Sequence, residues 1–298
     1  MRFKLITFIL LTLVTTSLFG ITRRVENSDT IIVLNMENLS VFPRNFRMST
    51  DTLDETPLPP STLGLDKLHI SGSGQFSQLS LELMLKVIPA QSMTIVDLRE
   101  ESHGYLNGNA MSWYGDMNLA NLGKSVQEIR FDEQLKLQQS LDNGFIYYLR
   151  DSTLNLNLMD VDTAYDEASL AQYYHVQYAR LPCTDHRRPT DSVVDDFVAF
   201  MRSRPNGTWL HFHCSAGKGR TTTFMTMVDI FLNAKEVSLD DIIERQILIG
   251  GKDIWQLPST DSWKYDTMVD RIDFLKEFYT FCRTEKNQSW KQWLLEKN

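Results

Sequence analysis

A histidine, a cysteine and an arginine are spaced here as phosphoryl chemistry needs them, in His213-Cys214-Ser215-Ala216-Gly217-Lys218-Gly219-Arg220-Thr221. Trp209-Leu210-His211-Phe212-His213 reads as a buried strand and Thr221 onward as a helix, so the residues between must form the connecting loop. Such a loop collects backbone N–H groups that point one way, at the positive end of a helix dipole, and therefore binds anions. Gly217 and Gly219 allow a tight turn, and Arg220 adds a planar cation that matches phosphoryl oxygens. The same field favours a thiolate at Cys214, with Thr221 placed to donate its hydroxyl to the sulfur. A thiolate there would attack phosphorus in line, while Arg220 and the loop amides hold the equatorial oxygens. A nucleotide-binding P-loop is excluded, because Lys218 is followed by Gly219 and not by Ser or Thr. Most single cysteines are small buried hydrophobes, but the His-Cys-x5-Arg-Thr setting argues against that reading of Cys214.

Cleaving a phosphate ester also requires a proton for the departing alkoxide. Asp185, in Pro182-Cys183-Thr184-Asp185-His186-Arg187-Arg188-Pro189 between a strand and a helix, is the candidate general acid. A loop of that composition can close over a ligand. Cys183 lies two residues before Asp185. It has two readings: a reversible disulfide with Cys214 that shields the nucleophile, or a small buried residue at a strand end.

The elements that must position these residues are legible in part. Strands are expected at Ile31–Met36, Thr94–Leu98, Phe145–Leu149, Tyr173–Leu181 and Trp209–His213. Ser125 with Glu128 forms a capping box that opens a helix to about Leu141. Val194, Phe197, Val198 and Met201 mark a second helix, with Asp191 and Ser192 as caps. Further helical stripes follow at Phe224–Phe231, at Leu239–Ile247 before Gly250-Gly251, and at Val269–Tyr279. Alternating strands and helices predict an α/β sheet covered by helices. The Pro-, Thr-, Ser- and Asp-rich stretch Ser49–Gly64 reads as a loop or an insertion.

Composition sets the outer limits. The chain has 298 residues, 42% hydrophobic and 23% charged, enough for a large core. Residues Met1–Gly20 resemble a signal peptide: Arg2 and Lys4, an apolar run Leu5–Val14 too short to span a bilayer, then small residues. The expectation is a leader over 1–20, a catalytic unit over 21–298, and export to the periplasm or the medium. The net charge of -8 argues against nucleic-acid binding by bulk field. Cys183, Cys214 and Cys282 make an odd number, which is no disulfide framework.

At the Cys214 and Asp185 loops the chain resembles the cysteine-dependent phytases, the protein tyrosine phosphatase-like inositol polyphosphatases. Similar blocks run through Asn45-Phe46-Arg47, Leu68–Ser73, Asp97–Gly108, Ser112–Gly115, Ala120–Ser125, Ile249-Gly250-Gly251 and Asp261-Ser262-Trp263-Lys264. The resemblance implies a tyrosine-phosphatase-like mixed sheet flanked by helices, with a small partial β-barrel drawn from parts of 30–65 and 145–175. It implies hydrolysis of inositol hexakisphosphate (phytate) with no metal and no cofactor. It also implies that Arg47, His186, Lys264 and Arg271 contact substrate phosphates, although the family often has lysine at the last position. Two departures stand out. Asp151–Asp166 holds no lysine or arginine where the family places a binding lysine, so that Arg150 is the nearest cation. Lys218 lies inside the loop, as in inositol-lipid phosphatases of the same superfamily. A phosphoprotein or phosphoinositide-lipid phosphatase is therefore the alternative activity, and an inactive phosphate-binding module a third reading. The intact Cys214, Arg220 and Asp185 argue against the last.

Overall fold

A computed structural model describes residues 30–89, 92–150, 155–284 and 287–297. The segment read as a signal peptide lies outside the described residues.

Eleven strands build two sheets among the described residues. They are β1 Ile31–Met36, β2 Arg47–Met48, β3 Ile70–Ser73, β4 Met93–Arg99, β5 His103–Leu106, β6 Asn109–Tyr114, β7 Phe145–Arg150, β8 Leu156–Asp160, β9 Ala164–Tyr165, β10 Gln177–Cys183 and β11 Trp209–His213. The helices are α1 Gln78–Val87, α2 Val126–Asn143, α3 Glu167–Tyr173, α4 Asp191–Ser203, α5 Gly219–Asn233, α6 Leu239–Leu248, α7 Tyr265–Arg283 and α8 Trp290–Lys297.

The five-stranded sheet has the order β10-β4-β11-β3-β2. β11 lies parallel between β4 and β3, with His213 level with Asp97 on one side and Ser73 on the other. A strand hydrogen-bonded on both edges and covered on both faces is buried along its length, and all five residues of β11 are buried. Its two histidines find polar partners, His211 at Ser71 and Ser73 and His213 at Glu167. On one face Leu210 and Phe212 join Val194 and Phe197 of α4, Phe224 of α5, Ile243 of α6 and Phe278 of α7. On the other, Trp209 and Ile95 pack with Leu81 and Met84 of α1, Tyr105 of β5 and Leu170 of α3. The second sheet is mixed and six-stranded, β8-β7-β1-β6-β5-β9, and rests on α2 through Leu137.

The mixed α/β architecture agrees with expectation, and three local readings change. Tyr173–Leu181 is not one strand. Asp166 caps α3 by accepting from Ser169 N, the chain turns at His175 (φ 56°), and only then does β10 begin. The aromatic run was strand-like in composition, but the cap decides. α4 is capped by Thr190, whose side chain accepts from Val193 N, so Asp191 sits inside the first turn. The β-rich unit also differs in extent. The hairpin β5–β6 completes its sheet, and β2 pairs with β3 in the other sheet.

Candidate active site

The loop after β11 is held from outside by its carbonyls. Asn45 Nδ2 donates to the Ala216 carbonyl at 2.7 Å, Arg47 Nη1 to that of Gly217 at 2.9 Å, and the Gln75 N–H to that of Ser215 at 3.1 Å. A loop whose oxygens are engaged from outside leaves its N–H groups for an anion. Gly217 makes the turn possible: its φ is 74°, and a Cβ there would lie 2.2 Å from the Gly74 nitrogen.

Cys214 sits buried at the floor. Its Sγ accepts from Gly217 N–H and from Thr221 Oγ1, each at 3.2 Å. Both donors are aimed at the sulfur, one from the loop and one from the helix. Arg220 projects from the first turn of α5 and is clamped by Glu101, whose carboxylate accepts from Nη1 at 2.6 Å and from Nη2 at 2.8 Å. Burial opposes the charge of Arg220, but Glu101 and then Asp185 outweigh it and hold the guanidinium well above its ordinary range. Glu101 itself is held far below the usual carboxylate range: burial alone would raise it, and Arg220 and Arg99 overcome that. The pair fixes the orientation of the guanidinium fork at the pocket.

Asp185 lines the same pocket, with Oδ1 at 3.3 Å from Arg220 Nη2. Asn118 Nδ2 donates to its Oδ2 at 3.1 Å, and the His186 N–H to its Oδ1 at 2.9 Å. Nucleophile and arginine, from one loop, therefore meet an acid from a second, with Glu101 clamping the arginine from a third segment. His186 follows with φ 63°, packs edge-on against Trp263 at 5.0 Å, and is pushed toward its neutral form by burial.

The pocket has a volume of about 280 Å³ and is lined by Cys214, Arg220, Asp185, His186, Lys218, Lys252, Lys264 and Arg271 among others. Larger hollows lie against α2 and at the start of β1 and β7. Neither gathers a cysteine or more than one cation. The chemistry, not the size, marks the site.

Of the residues expected at the substrate, His186, Lys218, Lys264 and Arg271 line the pocket and Arg47 does not. Arg47 is buried beneath the loop. Its donors go to the carbonyls of Asn45 and Gly217 and to Thr222 Oγ1, and burial brings it down to about 10. It braces the phosphate loop. Arg150 pairs with Glu37 on the six-stranded sheet, away from the pocket lining. Sequence reasoning missed Asn118, Glu101 and Lys252 as site residues. Glu101 lies within a matched block and Lys252 follows one, while Asn118 carries no local signal. All three cysteines are free. Cys183 Sγ faces the carbonyls of Thr184 and Arg187, and burial pushes its thiol up to about 12, which fits the small buried residue. A metal-type grouping exists among the described residues at Asp97, His103 and Glu167, whose ligand atoms lie within 4.8 Å of one another. Arg180 at 3.1 Å from Asp97 and His213 at 2.6 Å from Glu167 already answer those acids.

Comparison with known proteins fits this geometry. A family model described as PTP-like phytase, inositol hexakisphosphate, matches residues 96–232. A PTP-like phytase from Bdellovibrio bacteriovorus is 32% identical, with a TM-score of 0.73, over 90% of this chain and 96% of its own. The chain belongs to the PTP-like phytase family. A second phytase-family relative, the PTP-like myo-inositol phosphatase of Mitsuokella multacida, was solved with myo-inositol-(1,3,4,5)-tetrakisphosphate. It is 33% identical with a TM-score of 0.87, over 91% of this chain and 48% of its own. The effector protein hopD2 of Pseudomonas syringae pv. tomato is 28% identical over 91% of this chain and 61% of its own length. The chain thus spans about half of the Mitsuokella protein and three fifths of the effector.

Proposed function

We propose that the chain is an exported phosphatase that hydrolyses phosphate monoesters of inositol polyphosphates through a phosphocysteine. The observation that carries the reading is the meeting of Cys214, Arg220 and Asp185 in a pocket with four further cations. Cys214 Sγ attacks phosphorus in line, forming an S–P bond as the ester P–O bond breaks. Protonated Asp185 gives its proton to the departing alkoxide. Loop amides and Arg220 hold the charge on the equatorial oxygens. Water then attacks the phosphocysteine, Asp185 takes its proton, and orthophosphate leaves with the thiolate restored.

The substrate class is supported by the cations, by the inositol hexakisphosphate family model, and by the inositol phosphate bound to the Mitsuokella relative. Export is supported by the charged, then apolar, then small-residue order of Met1–Gly20. Among the described residues no helix is long and apolar enough to cross a membrane. Lys218 favours a second reading, a phosphoinositide-lipid or phosphotyrosine-protein phosphatase, because it adds charge within the loop itself.

The test measures kcat/KM on inositol hexakisphosphate, a phosphotyrosine peptide and a phosphoinositide in vesicles. The proposal expects the first to be preferred, and hydrolysis to vanish in Cys214→Ser while inositol hexakisphosphate still binds. Preference for the peptide or the vesicles by orders of magnitude would replace the first reading with the second.

A further inference from the structure

The pocket wall is short of negative charge. Lys218, Lys252, Lys264 and Arg271 all line it, and Asp185, engaged by Arg220, is the single carboxylate in that lining. The partners of the four cations neutralise nothing. Lys252 Nζ lies 3.9 Å from Met268 Sδ, and Lys264 Nζ lies 5.0 Å over the Trp263 ring. Arg271 donates to Met268 Sδ at 3.3 Å and to the Arg187 carbonyl at 3.0 Å, and Lys218 is exposed. Among the described residues none of the four has a carboxylate within the 4.0 Å of an ion pair. Clustered, partly desolvated cations are unfavourable until an anion enters, so the wall is built for one.

Among the four, Lys252 has its backbone tied to the helix that carries Arg220. Its backbone N–H donates to Thr222 Oγ1 at 3.0 Å, and the same hydroxyl accepts from Arg47 Nη2 at 3.0 Å. Thr222 lies in the first turn of α5, two residues after Arg220. The lysine is therefore tied to the helix turn that carries the phosphoryl-binding arginine. Burial, then Arg271, Lys264 and Lys218, weakens its hold on its proton, which places it among those cations; Asp253 acts in the opposite sense.

We propose that Lys252, together with Lys218, forms an anion subsite for a phosphate next to the scissile one, selecting substrates that carry two or more neighbouring phosphates. The inference rests on the phosphatase reading above and assigns part of its specificity to one residue.

The experiment compares wild type with Lys252→Met and Lys252→Arg. A lost charge-assisted contact predicts that Lys252→Met loses about 10- to 100-fold in kcat/KM on inositol hexakisphosphate, through KM. On p-nitrophenyl phosphate, which has a single phosphate, it should stay within about twofold, and Lys252→Arg should recover most of the loss. Inhibition of p-nitrophenyl phosphate turnover should weaken about tenfold for pyrophosphate and stay unchanged for orthophosphate. Equal losses on both substrates, or none on either, would overturn the subsite. Should the wild type not hydrolyse inositol hexakisphosphate, the substrate reading falls, while the pyrophosphate comparison still decides the subsite.

Discussion

Asp185 has a partner on each side of its carboxylate: Asn118 at 3.1 Å, and Arg220 at 3.3 Å. The arginine aims it at the phosphoryl site and the asparagine holds the far oxygen. A general acid matters most when the leaving group is a poor one. Asp185→Asn should therefore lower kcat on inositol hexakisphosphate by about 10² to 10⁴, and much less on p-nitrophenyl phosphate, whose leaving group needs no proton. Steady-state turnover on the two substrates checks this, and equal losses would remove Asp185 from the acid role. Asn118→Ala should show the same split at about tenfold, as a positioning residue. Asp185 was legible in the sequence because a strand, a turn-rich loop and a helix surround it in one continuous stretch. Asn118 was not, because its role depends on a contact across 67 residues.

The loop from Cys214 to Arg220 was readable as an element because everything that defines it is local: a buried strand, two glycines and a helix start. What holds it is not local. Arg47 and Asn45 come from the segment around β2, and Gln75 from the turn after β3. Arg47 was expected at the substrate because the family resemblance implies it, whereas in the structure it is buried with its donors on the loop. Arg47→Met should accordingly cost about 2–4 kcal/mol of stability, since the Gly217 and Asn45 carbonyls lose a partner. It should lower kcat/KM by the same factor on inositol hexakisphosphate and on p-nitrophenyl phosphate. Denaturation and parallel kinetics test the two halves. A loss confined to the polyphosphate would return Arg47 to the substrate.

On the scale of the whole molecule, the two sheets meet through buried charge as well as apolar packing. His213 of β11 reaches Glu167 of α3 at 2.6 Å, and His103 of β5 lies 3.4 Å from Asp97 of β4 and 3.3 Å from Glu133 of α2. Sequence pattern revealed β1, β4, β7, β11 and part of β10, and the long helices, but missed the other six strands. It carries no signal for such a network, whose members lie far apart in the chain. The network makes stability depend on pH. Burial opposes the charge of His103, but Asp97 and Glu133 outweigh it and lift the group from 6.5 to about 9. Its contribution is complete below about 6.5 and is lost as pH rises through about 9, on the order of 3 kcal/mol in all. Glu167 works at the other end. Burial would raise it, yet His213 and His103 bring it from 4.5 to about 2, so its contribution holds above about 4.5 and is lost as pH falls through about 2. Denaturant unfolding across pH 6 to 10 should show the alkaline decline, and His103→Gln should flatten it. The loop chemistry has its own decisive experiment: rapid acid quench of the Asp185→Asn enzyme with ³²P-labelled inositol hexakisphosphate, followed by mapping of the labelled peptide. Label on Cys214 within His213–Thr221 is the predicted result. Phosphate release with the label on another residue, or undiminished release from Cys214→Ser, would contradict it.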